Sequence, residues 1–149
     1  MRGLILIIYI FFATTLLSCQ SHKRQVVYLS SSYKDDSKYQ KVLFDSIYPN
    51  RQTLHGKKIK LSGYLTARFE DFAVYASLKD AKKYNYSKAI WLQIDPYEKR
   101  SIDEVEKYIK LNGMFFIEVE GILDMSRMGH MNQYIGTILV KKVVSNELK

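Results

Sequence analysis

The chain has 149 residues, 23 Lys+Arg against 15 Asp+Glu, a formal net charge of +8 and a single cysteine. That length holds one ordinary domain plus a short extension, and a lone cysteine excludes an intrachain disulfide, so stability must come from packing. The basic excess is moderate, and twelve tyrosines suit the strands of a small β-rich protein.

At the N-terminus, Arg2 precedes the uncharged, largely apolar segment Gly3 to Leu17, and the chain turns polar after Cys19. This is the charged start and apolar middle of a secretory signal. The run is too short for the roughly 20 apolar residues of a spanning helix. Leu16-Leu17-Ser18-Cys19 resembles the lipobox of bacterial lipoproteins. The resemblance implies a signal peptide over 1–18, removed before the cysteine, and a membrane anchor built on Cys19. In those lipoproteins the cysteine carries a diacylglyceryl group and an acylated N-terminus, so the resemblance implies the same for Cys19, with palmitate the expected type of acyl chain. Each buried methylene contributes roughly 0.8 kcal/mol, so two or three chains hold a protein on a bilayer without a helix. Gln20 after the cysteine, rather than aspartate, resembles the pattern that sends such proteins to the outer membrane rather than the inner one.

Residues 19–37 read as a flexible tether, rich in serine and charge, within which Val26-Val27-Tyr28-Leu29 has the composition of a short strand. The domain proper occupies 38–149. Tyr39, Val42, Leu43, Ser46 and Ile47 fall at helical spacing and predict a short amphipathic helix over 37–47, stopped by Pro49. Asn50 to Gly56 is a turn. From Lys58 the period becomes two: Ile59, Leu61, Gly63 and Leu65 face inward, with a bulge or bend expected at Gly63. A second strand surrounds Phe72-Ala73-Val74-Tyr75. Leu78 to Tyr84 is a short charged helix or loop with Asp80 near its start, and Ala89 to Ile94 is the third strand. Ser101 with Glu104 forms a capping box for a helix over 101–111. Met114 to Leu123 is the clearest strand, with Phe115, Ile117, Val119 and Gly121 inward and Phe116, Glu118 and Glu120 outward. Tyr134 to Val144 is the last.

Five strands with a helix between the third and fourth predict a mainly β protein, a small five-stranded OB-type barrel with short helices. The segments Gly56 to Leu65, Asn85 to Leu92, Asn112-Gly113 with Val119-Glu120-Gly121, and Gly129-His130-Met131 with Gly136-Thr137-Ile138 resemble a set of poorly characterised bacterial OB-fold envelope proteins, distantly similar to anticodon-binding-like OB domains. The resemblance covers about Tyr39 to Val144 and implies a fold, not an activity, because this barrel hosts many unrelated functions.

No Ser/His/Asp order, phosphate loop, cofactor motif or metal-ligand spacing is legible, so the chain is not read as an enzyme. His130, flanked by Gly129 in a loop, is the most suggestive single residue. It either contacts a ligand or hydrogen-bonds its own turn as a structural cap. Tyr64, Tyr75, Trp91 and Phe116, with Lys58 and Lys60, are the rings and cations that a nucleic-acid face would need. The outward Glu118 and Glu120 would repel phosphates, and an envelope address seldom meets nucleic acid, so that partner is disfavoured. The expected role is a lipid-anchored cell-envelope module that binds an envelope protein or glycan, or acts structurally. The alternatives are an OB domain binding nucleic acid or another oligomer, and a small envelope hydrolase using the His130 loop.

Overall fold

The computed structural model describes residues 24–34, 38–68, 71–95, 97, 107 and 113–145. The signal peptide, Cys19 and the helix expected over 101–111, apart from Lys107, lie outside the described residues. Among these residues no helix is long and apolar enough to cross a membrane.

The protein is mainly β. Seven strands form one sheet: β1 (Gln25–Leu29), β2 (Gln40–Val42), β3 (Lys58–Arg68), β4 (Asp71–Tyr75), β5 (Ala89–Gln93), β6 (Phe115–Asp124) and β7 (Thr137–Ser145). Among the described residues, the short helices α1 (Phe44–Ile47), α2 (Arg51–Leu54) and α3 (Leu78–Lys82) accompany them. The five strands expected from the alternation are β3 to β7. The sheet gains two more from the stretch read as tether and leading helix.

The alternation in β3 and β6 is what locks the core. In the antiparallel register Ile59 faces Gly121, Leu61 faces Val119, Gly63 faces Ile117 and Leu65 faces Phe115. The same residues are buried, and each fully buried aliphatic or aromatic side chain contributes roughly 1.5–3 kcal/mol. β3 pairs antiparallel with β4, β4 with β5, β5 runs parallel to β7, and β7 pairs with β6. Since β6 returns to β3, the pairings close on the strand where they began. Val74, Ile90, Leu92, Ile138, Val140 and Val143 fill the inside of this ring.

Gly63 is not a bulge, because its neighbours keep an unbroken register with β6. It permits close approach instead: a Cβ there would lie 2.4 Å from the Tyr75 carbonyl oxygen and 2.8 Å from Val74 Cγ2. Register shifts fall elsewhere, in the β6–β7 pair between Glu120 and Gly121 and in the β1–β7 pair between Val26 and Tyr28.

Two findings concern the N-terminal part. Within the stretch read as tether, residues 25–29 form the short strand that Val26 to Leu29 has the composition for: they are β1, paired along β7, with Tyr28 only 2% exposed. The helix expected over 37–47 shrinks to the four residues of α1, and its first half becomes β2, parallel to β3 at Ile59 to Leu61. The reason is the edge of β3: β4 covers it only from Tyr64 onward, leaving backbone groups that β2 satisfies. Leu43, assigned to an apolar stripe, is 71% exposed. Ile47 and Leu54, from α1 and α2, do join the core.

Candidate functional site

Outside the ring, β3 to β5 carry a second apolar layer of Ala73, Tyr75, Ala81, Ala89 and Tyr134, bordered by Tyr64, Tyr86, Trp91 and Met114. Ala73 faces Trp91 and Tyr75 faces Ala89 across the β4–β5 pair. Small residues opposite large ones leave room for the rings. α3, capped by the Ser77 hydroxyl accepting from the Asp80 N–H, brings Ala81 onto this layer, and the β6–β7 loop brings Tyr134.

A buried carboxylate joins the pieces. Asp71 is 5% exposed. Its Oδ1 accepts from the hydroxyls of Tyr75 and Tyr134, both at 2.9 Å, and its Oδ2 from Thr66 at 3.0 Å. Burial, and then the bond to Asp71, push both tyrosine hydroxyls far above their ordinary range, so they stay protonated donors.

Tyr134 thereby pins the loop that carries His130. Two more ties hold it: Tyr134 N–H donates to the Met128 carbonyl at 3.0 Å, and the Thr137 hydroxyl to the Arg127 carbonyl at 2.9 Å. Gly129 sits at φ +66, and a Cβ there would come within 2.6 Å of Trp91 and 2.7 Å of Tyr134, so only glycine fits. Met131 and Asn132 also occupy the left-handed region, at φ 53 and 57, which non-glycine residues seldom adopt.

Between this loop and β5 opens a cleft of about 370 Å³ lined by Trp91, Gln93, Ser126, Arg127, Met128, Gly129, Asn132 and Thr137. Arg127 Nε is 3.3 Å from Asp124. The carboxyl of Asp124 is held below the usual range chiefly by the Ser126 hydroxyl it accepts from; burial opposes this, and the Ser126 backbone N–H, Arg127 and His55 add to the lowering. Among the described residues no carboxylate lines the cleft itself.

The expected site residues separate into two pairs and a core residue. Trp91 and His130 come together, their rings 6.4 Å apart and 30° from parallel; His130 stands beside the cleft, against Trp91, and not in its lining. Tyr64 and Phe116 form an edge-to-face pair at 5.3 Å, with Phe116 39% exposed. Tyr75 cannot offer its ring to a ligand, because it is fully buried. Sequence reasoning missed Asp71, Tyr134, Gln93 and Arg127; the available signal was the alternation of Asp71, Ala73 and Tyr75 along one face of β4.

Of the two cations expected to meet phosphates, Lys58 and Lys60, the second is engaged elsewhere. Lys60 Nζ lies 2.6 Å from Glu120 and 3.5 Å from Glu118, and Arg24 lies 2.8 Å from Glu118. Glu120, taken as outward and solvated, is 6% exposed. Tyr33, stacked on Tyr39, donates to it at 3.0 Å, and Lys142 lies over the Tyr33 ring. Among the described residues no group of three or more His, Cys, Asp or Glu gathers at a position that could hold a metal ion.

No protein-family model, curated protein or solved structure matches this chain.

Proposed function

We propose that this chain is a lipid-anchored protein of the bacterial cell envelope, outer membrane rather than inner, whose OB-type barrel binds an envelope glycan in the cleft between β5 and the β6–β7 loop. The observation that carries the reading is the closed circuit β3–β4–β5–β7–β6, the strand order of that barrel, with an aromatic and polar cleft at its rim. The pairing register supports closure. Leu65 pairs with Phe115 on one side and Val74 on the other. Followed one way, the row runs past the end of β7 at Ser145; followed the other, it falls short of the start of β7 at Thr137. Such an offset is what a closed, tilted sheet requires.

OB barrels use the face of their second and third strands and the loops after the first and fourth; β5 and the β6–β7 loop correspond to two of these parts. Much of that face is occupied here by Tyr75, Tyr86 and Tyr134, which leaves the Trp91 end. A Trp91 wall with the polar heads of Gln93, Arg127 and Asn132 suits a hydroxylated ligand with an apolar ring face. Lys60 held by Glu118 and Glu120 disfavours nucleic acid. Among the described residues the cleft lining holds no carboxylate, which disfavours a hydrolase. The lipid anchor rests on Leu16-Leu17-Ser18-Cys19.

Two measurements test this. Cys19→Ala should abolish metabolic labelling with palmitate and leave an unprocessed precursor; label persisting in the variant overturns the anchor. Trp91 is the chain's only tryptophan, so its emission reports on the cleft. Titration with soluble peptidoglycan fragments and surface oligosaccharides should shift it saturably, and Gln93→Ala with Asn132→Ala should remove the response. Emission flat with every glycan overturns the ligand class.

A further inference from the structure

The anchor just proposed and the docking of β1 together constrain how the domain sits on its membrane, an inference that rests on the lipidation of Cys19. From Gln25 the chain is part of the sheet: Gln25 pairs with Ser145, Val26 with Val144 and Tyr28 with Val143, and the Ser30 N–H donates to the Lys141 carbonyl at 2.8 Å. Val27 and Tyr28 are buried, and Arg24 is already tied to Glu118 at 2.8 Å. Only residues 20–23 separate an acylated Cys19 from that tie. At no more than about 3.6 Å per residue, the Cα atoms of Cys19 and Arg24 cannot be further apart than about 18 Å. The headgroup zone of a bilayer leaflet takes up about 5–8 Å of such a reach. The tether expected from the sequence, eighteen residues from Gln20 to Ser37, would have let the domain wander; the folded strand removes most of that freedom.

The rim brought down by this short leash has the character of an interfacial surface. Val144 pairs with both Val26 and Glu118, so β1 lies beside the early part of β6. Phe116, two residues before Glu118, faces outward and packs edge to face with Tyr64. Val26 is 53% exposed and the Arg24 side chain 62%. Aromatic rings and arginine stems of this kind favour the boundary between hydrocarbon and water. Glu118 presents no bare negative charge to anionic lipid, because Arg24 and Lys60 flank it. We infer that the edge bearing Arg24, Val26, Tyr64 and Phe116 rests on the lipid headgroups, with phospholipid as the partner of that surface.

The acylated full-length protein in phosphatidylethanolamine and phosphatidylglycerol vesicles carrying a headgroup-linked quencher provides the test. Cys19 is consumed by lipid, so Phe116→Cys, Val26→Cys and Lys57→Cys each offer one thiol for a fluorophore. Lys57 is exposed and lies at the opposite end of β3, where Leu123 N–H donates to its carbonyl. Labels at 116 and 26 should be quenched several-fold more than at 57; position 26 serves if the Phe116 variant fails to fold. Equal or reversed quenching on protein whose acyl mass is confirmed overturns the docking and spares the anchor. A missing acyl mass overturns both.

Discussion

Two carboxylates lie buried on the outer side of the sheet, and they are held by opposite chemistries. Asp71 is surrounded by hydroxyls, from Thr66, Tyr75 and Tyr134, whereas Glu120 meets the Lys60 ammonium and the Tyr33 hydroxyl. Burying a charge is costly unless hydrogen bonds or an opposite charge compensate. The hydroxyl cage is directional and draws on elements as distant as Thr66 and Tyr134, so it fixes one geometry of the β6–β7 loop. The ionic cluster spans Arg24, Lys60, Glu118 and Glu120 and tolerates rearrangement, because either glutamate can take the same lysine. One region positions the cleft; the other fastens the N-terminal segment across β6 and β3.

The sharpest way to break this contrast is Asp71→Ala. It strands the Tyr75 and Tyr134 hydroxyls in a buried layer and should cost about 3–5 kcal/mol in denaturant titrations, a sum of lost charge-assisted bonds and unsatisfied donors. It should also raise hydrogen exchange in residues 126–134. A loss below about 1 kcal/mol, with the loop still protected, would mean that Asp71 does not hold the loop.

Alkali and salt sharpen it further. The protons of Tyr75 and Tyr134 are held above the ordinary tyrosine value by burial and by Asp71. Their contribution is therefore complete below pH 10 and is lost above it, as the unfolded chain ionises first, by up to about 1.4 kcal/mol per tyrosine per pH unit. Lys60 is raised too, chiefly by its bond to Glu120, and weakens in the same direction. Tyr75→Phe with Tyr134→Phe should flatten most of the decline in melting temperature between pH 10 and 11.5. An unchanged slope would assign the alkaline loss to the ionic cluster.

The strands were legible where burial is one-sided: in β3 and β6 every second residue faces the core, and the sequence writes that period directly. Residues 37–47 misled because Val42, Leu43, Ser46 and Ile47 satisfy a helical spacing, while the free edge of β3 that captures Gln40 to Val42 exists only in the folded sheet. The cleft was half visible. Trp91 and His130 declare themselves by type, but Asp71 and Tyr134 are 63 positions apart, and nothing local announces that one accepts from the other.

The smallest expected effect separates the two regions most cleanly. Arg24→Ala removes a guanidinium whose side chain is 62% exposed, and an ion pair so open to solvent is worth about 0–1 kcal/mol. Glu118 keeps Lys60 at 3.5 Å, so no carboxylate is left bare. In about 1 M salt, where the screening length falls to roughly 3 Å, the difference between wild type and Arg24→Ala should vanish, while the cost of Asp71→Ala persists because its partners are neutral. Melting curves at low and high salt decide the matter. An Arg24→Ala loss above 2 kcal/mol that survives high salt would show that the N-terminal segment is fastened by packing around Arg24, and the contrast between a charged clasp and a neutral cage would fail at its charged end.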